Sequence, residues 1–255
     1  MKNWKAVLLL VSCLMFSGFT PNLAVAQSPN ASVYVVHGIP GHDLNTALDP
    51  ALPVDVVVNP GKGQICLLQG LKFGDIAGPL TIPPGTYMIA LSVASTVAPC
   101  SNAPLLGPVS VTLSSGENAS LVAHLQYGSS PTPTVQKFDN DLTNPIANGK
   151  SRLIVQHTAN APAVDIHVVR YAYPPIPPTT IPNVSNGEQT QADLPSERPI
   201  FYGTTTVTLS PAGEEKPVIG PYFFQLNPHS VYLIYAVGSL STQSFTLISK
   251  VIPGV

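Results

Sequence analysis

The sequence predicts an all-β protein: two tandem antiparallel β-sandwich domains of immunoglobulin-like size, preceded by a signal peptide. Three observations carry that expectation. The 28 prolines and 19 glycines are spread along the 255-residue chain and do not form one tract, which suits many short strands and would interrupt helices. Stretches such as "TYMIALSVA" (Thr86 to Ala94) alternate, with Tyr87, Ile89, Leu91 and Val93 on one side, the period-2 signature of a strand. The same landmarks also occur twice, in the same order, at offsets of about 110 to 120 residues, as a tandem duplication would leave them.

The N-terminal 26 residues read as a targeting segment. Lys2 and Lys5 give a positive start, "AVLLLVSCLMF" (Ala6 to Phe16) an apolar stretch, and "AVA" (Ala24 to Ala26) a small-residue cleavage site before Gln27, together a secretory signal. The apolar run is shorter than the roughly 20 residues a membrane-spanning helix needs. "LVSC" (Leu10 to Cys13) resembles a lipobox, but the Ala-x-Ala site downstream favours ordinary cleavage. Cleavage removes two lysines and no acid, leaving 9 basic against 13 acidic residues, a net of −4. A chain so weakly charged has no electrostatic footprint for nucleic acid. The expected location is secreted or periplasmic, with association at the cell surface and no membrane span after cleavage.

The first repeat is expected over residues 31–141. It opens with "VYVVHGIPG" (Val33 to Gly41), a long insertion "GHDLNTALDPA" (Gly41 to Ala51), then "LPVDVVV" (Leu52 to Val58). Val33, Val35 and His37 share one strand face, and Val54, Val56 and Val58 point opposite to Asp55. Cleavage leaves two cysteines, Cys66 and Cys100, and in an exported protein these are expected to pair. Closing a loop of that length contributes roughly 4 kcal/mol in the chain-entropy model.

A polar stretch, "DNDLTNPIANGK" (Asp139 to Lys150), marks the boundary, with the linker at 142–149. The second repeat, 150–255, repeats four landmarks. "LIVQHTANAPAVDIHVV" (Leu153 to Val169) carries His157 and Asp165; "GTTTVTLSPA" (Gly203 to Ala212) answers "GTYMIALSVA" (Gly85 to Ala94); "VIGPYFFQL" (Val218 to Leu226) answers "LLGPVSVTL" (Leu105 to Leu113). Finally "VYLIYAVGSL" (Val231 to Leu240) answers "LVAHLQYGSS" (Leu121 to Ser130), which aligns His124 with Ile234. About seven strands per repeat are expected.

The paired openings "VVHGIPG…LPVDVVV" and "VQHTANAPAVDIHV", with "PPGTYMIAL", resemble the domain of unknown function 4397 family. The resemblance implies exported bacterial β-sandwich modules, often in tandem, with no established activity. The insertion after His37, and Thr205 where the first repeat has Tyr87, depart from its pattern.

The His and Asp of each opening invite an acid–base or metal reading. Strand periodicity argues against it, placing each His where a core-facing strand ends and each Asp where it can accept N–H groups or the imidazole. His37, Asp55, His157 and Asp165 are therefore expected to be structural, with each Asp holding a loop beside the strand that ends in His. No third partner recurs, since His167 aligns with Val57. There is no Gly-x-Ser-x-Gly elbow, phosphate loop or His-Glu-x-x-His motif, so no catalytic residue, metal site or cofactor is expected. Tyr171 and Tyr173, in "YAYPPIPPTTIP" (Tyr171 to Pro182), with Phe201 and Tyr202 form a candidate binding surface. The expected function is a non-enzymatic cell-surface or periplasmic interaction or structural module, with a surface protein or glycan as partner. The alternative is a carbohydrate- or peptide-binding protein using sandwich-end loops; an unrecognised hydrolase ranks below both.

Overall fold

A computed structural model of the chain describes residues 28–59, 63–128, 130–142, 149–171, 176–196 and 204–254. The expected signal segment and residues 143–148 of the expected linker lie outside the described residues. The fold is all-β. Eight strands come from the first half: β1 (Ala31–His37), β2 (Val54–Val58), β3 (Ile65–Leu71), β4 (Ile76–Ile82), β5 (Gly85–Val93), β6 (Pro104–Leu113), β7 (Asn118–Gln126) and β8 (Thr132–Asp139). Eight more follow: β9 (Lys150–His157), β10 (Val164–Tyr171), β11 (Thr179–Val184), β12 (Glu188–Pro195), β13 (Thr204–Pro211), β14 (Ile219–Phe224), β15 (Ser230–Val237) and β16 (Thr246–Pro253). The insertion after His37 holds one helical turn, α1 (Gly41–Leu44).

Each half has one strand more than the sequence suggests. The segments 65–82 and 179–195 each break part-way and continue in the opposite sheet. The first half forms sheets β4-β1-β7-β8 and β3-β2-β5-β6; the second forms β12-β9-β15-β16 and β11-β10-β13-β14. The two orders are the same once eight is added to each label. Ladders are antiparallel except β1–β7 and β9–β15, which are parallel.

The registers match as well. Asp55 faces Ser92 and Val56 faces Leu91, as Asp165 faces Ser210 and Ile166 faces Leu209. Gly107 and Gly220 sit at matching irregularities, between the pairs Ile89–Val109 and Leu91–Leu106 and between Val207–Tyr222 and Leu209–Ile219. One sequence correspondence needs correction. Leu121 lies beside Val35, and it is Ile234 that lies beside Val155. Leu121 therefore answers Ile234, and His124 answers Val237. The "Gly-Ser" that follows each strand suggested an alignment three residues off. Because three is odd, that alignment would exchange the two faces of the strand.

Each half buries its own core between its two sheets. Val33, Val35, Val54, Val56, Leu91 and Leu121 fill the first; Leu153, Val155, Ile166, Leu209, Ile234 and Leu247 fill the second. A third cluster joins the halves: Tyr34, Val36, Val122 and Phe138 pack with Ile154, Val231, Leu233, Tyr235 and Val237. The sheets containing β1 and β9 therefore meet back to back, and their central strands are buried on both faces. This is why "VYVV", "LIV" and "VYLIYAV" are nearly continuous apolar runs. Polar pairs accompany the apolar contact. The Ser120 and Tyr235 hydroxyls are 2.8 Å apart, and Gln136 Nε2 donates to the Gly187 carbonyl at 2.7 Å.

Candidate functional site

The His and Asp of each opening do not meet. His37 Nε2 lies 2.9 Å from the Leu52 carbonyl, and His157 Nε2 lies 3.0 Å from that of Pro162. Leu52 and Pro162 each sit two residues before their strand, β2 or β10, so the two contacts are equivalent. A carbonyl only accepts, so each imidazole carries its proton on Nε2. Both rings are buried, and neither Nδ1 has a hydrogen-bond partner. Burial pushes the His37 pKa down to about 4 and lowers that of His157 as well. Both are therefore neutral at pH 7. Each donates one hydrogen bond that pins the loop leading into the next strand.

Each Asp points the other way, onto the outer face of its own sheet. Asp55 accepts N–H groups from Gly70 (3.0 Å) on Oδ1, and from Ser95 (3.3 Å) and Cys100 (2.7 Å) on Oδ2. Asp165 accepts from Asn183 (2.8 Å) on Oδ1 and Gly213 (2.9 Å) on Oδ2. These two N–H groups hold the Asp165 carboxyl below its ordinary pKa. The expectation that Asp holds the loop beside the His strand is thus corrected. Histidine holds that loop, while Asp holds a bulge in β3 or β11 and the loop after β5 or β13. The bulge residues Gly70 (φ 64°) and Asn183 (φ 56°) are left-handed, a conformation that glycine and asparagine tolerate best. The bulge turns its N–H toward the carboxylate. Sequence reasoning missed these partners. The signal available was a Gly and an Asn, each one residue before the apolar strand end, Leu71 or Val184.

Replacing Asp55 or Asp165 by Asn keeps the shape but turns an amide NH2 toward N–H donors. A loss of about 1–3 kcal/mol is expected at either site, larger at Asp55, which accepts three such bonds. Urea titrations of the two variants would measure it, and an unchanged midpoint in both would remove the structural role.

Cys66 in β3 and Cys100 in the loop after β5 form a disulfide with Cα atoms 5.7 Å apart. It lies over the outer face of Val57 and Ala90. Alkylating denatured protein without reductant should therefore add no mass; two labelled thiols would contradict the bond. Tyr171 is 61% exposed on the outer face of β10. Tyr173, Phe201 and Tyr202 lie outside the described residues, so the candidate aromatic surface is described at Tyr171 alone. Among the described residues no group of three or more His, Cys, Asp or Glu side chains is placed to hold a metal ion. No described helix is long and apolar enough to cross a membrane.

Comparison with known proteins identifies a family. No curated protein matches the chain. Among solved structures, the Bacillus anthracis TIE protein aligns over 87% of this chain, at 10% identity and a TM-score of 0.25. This chain spans 34% of that one. A presumed cell adhesion protein from Bacteroides ovatus aligns over 89% of this chain and 98% of its own, at 8% identity and a TM-score of 0.17. The family model described as "Domain of unknown function (DUF4397)" matches residues 31–167. That span runs from the start of β1 through the His157-to-Asp165 motif and covers more than half of the chain, and the protein belongs to the DUF4397 family.

Proposed function

We propose that the chain is a non-enzymatic exported module of the periplasm or cell surface, built to support interactions rather than turnover. One observation carries this reading. The residues most suggestive of chemistry are occupied by intramolecular bonds: His37 and His157 on loop carbonyls, Asp55 and Asp165 on backbone N–H groups. An acid–base pair needs a free lone pair aimed at a substrate. The histidines are turned into the fold, and the carboxylates on the outer faces are covered by a bulge and a loop.

A disulfide suits an oxidising compartment, and the weak net charge gives nucleic acid little to hold. Surface proteins or glycans are the expected partners, met by loops and sheet faces that this fold holds rigid. Screening the mature protein against a panel of esters, peptides and glycosides should give no turnover. A hydrolysis that disappears in Asp55→Asn or His157→Gln would overturn the reading. Export has its own test. Intact mass of secreted material should begin at Gln27, and a diacylated chain beginning at Cys13 would assign it to the lipoprotein class instead.

A further inference from the structure

The two halves differ where their frameworks agree most closely. On the outer face of the second half, His167 Nε2 lies 2.8 Å from Ser210 Oγ, and Ser210 donates to the Glu214 carbonyl at 2.6 Å. Thr180 Oγ1 lies 3.1 Å from His167 Nδ1, completing a row of paired polar groups. The ladders place Cys66, Val57 and Ser92 at the positions of Thr180, His167 and Ser210. Ser92 keeps the hydroxyl and loses its partners: it is 1% exposed, and its Oγ has no hydrogen-bond partner.

A cavity of about 340 Å³ opens beside it. Val57 and Ala90 line its apolar floor, and Ser92, Gln64, Ser101 and Asn102 add neutral polar groups. The loop that supplies Ser101 and Asn102 is fastened by the disulfide and by the Cys100 N–H bond to Asp55. The same turn in the second half is shorter and has no cysteine.

We infer that this cavity is a binding site of the first half for a neutral, hydroxyl-rich small molecule the size of one sugar unit. Among the described residues no charged side chain lines it, so an ion would lose hydration without a counter-charge from them. Gln64 Nε2 donates to the Cys100 carbonyl, Ser101 Oγ to that of Ala98 and Asn102 Nδ2 to that of Val93. This leaves the Ser101 and Asn102 oxygens to accept from sugar hydroxyls, while the floor covers an apolar ring face. The volume lies at the lower end of the range of small-molecule sites, about 300–1,000 Å³. A buried hydroxyl without a partner is costly unless something satisfies it, and a ligand hydroxyl would. The inference rests on reading the chain as a binder, but the two fail separately, since turnover of a glycoside would defeat that reading without emptying this cavity.

The test is saturation-transfer NMR on the full mature chain with neutral hexoses and N-acetylhexosamines, using glucuronate and glucosamine as charged comparators. At least one neutral sugar should give a saturable signal with a dissociation constant on the order of 1 mM, and the charged sugars should bind at least tenfold more weakly. Val57→His installs the side chain that the second half places against its own serine. It should fill the cavity and weaken binding at least tenfold. Asn102→Ala, a milder change on the exposed loop, should weaken it several-fold with the melting temperature little changed. Three results would each overturn the proposal: silence from every neutral sugar, preference for a charged one, or full-strength binding in both variants.

Discussion

Leu233→Ala should destabilise the whole molecule, not one half of it. Leu233 is fully buried in the cluster that joins the halves, beside Tyr34, Val36 and Ile154. Truncating a leucine in such a site removes its transfer free energy and leaves a cavity, a loss of about 2–5 kcal/mol. Because the back-to-back sheets share this cluster, unfolding either half would expose apolar surface on the other. Calorimetry should therefore show one cooperative transition in the wild type, moved down as a unit in the variant. Val251→Ala, on the neighbouring strand but 41% exposed, should shift it by no more than about 0.5 kcal/mol. Two resolved transitions, with only the second responding to Leu233→Ala, would mean the halves are independent.

Mild acid should weaken the fold through its buried histidines. An unfolded histidine takes up its proton near pH 6.5, whereas burial keeps folded His37 neutral down to about 4. Between those values the unfolded chain binds more protons, so stability is complete above about pH 6.5 and falls as the pH falls toward 4. For His37 alone the loss is on the order of 3 kcal/mol, at about 1.4 kcal/mol per unit. His157 and His124 are lowered by burial as well and act in the same direction. Asp165, whose pKa is depressed, gives up its share only at lower pH, below its unfolded value near 4. Glutamine at position 37 can donate to the Leu52 carbonyl without titrating. His37→Gln should therefore show a visibly smaller fall in melting temperature between pH 7 and 4.5. An identical slope in both proteins, or a wild-type melt that rises on acidification, would refute the assignment.

Much of the architecture was legible in residue order. Alternation in "TYMIALSVA" marks β5 because a strand with one buried face needs it. The repeated order of His37, Asp55, Gly107 and their counterparts His157, Asp165 and Gly220 predicts two similar halves, because like apolar faces fold alike. The two cysteines outside the expected signal segment point to their own bond. What the sequence could not decide depends on groups brought together from afar. The partners of Asp55, at Gly70, Ser95 and Cys100, are chosen by where a bulge and a loop close over one sheet face. Local resemblance aligns His124 with Ile234 because it ignores register, and only the parallel ladder to β1 shows which face each residue occupies. The joining of the halves through Tyr34, Val122, Leu233 and Tyr235 is likewise tertiary. A strand buried on both sides reads simply as apolar, and nothing in its own sequence says which neighbour covers its second face.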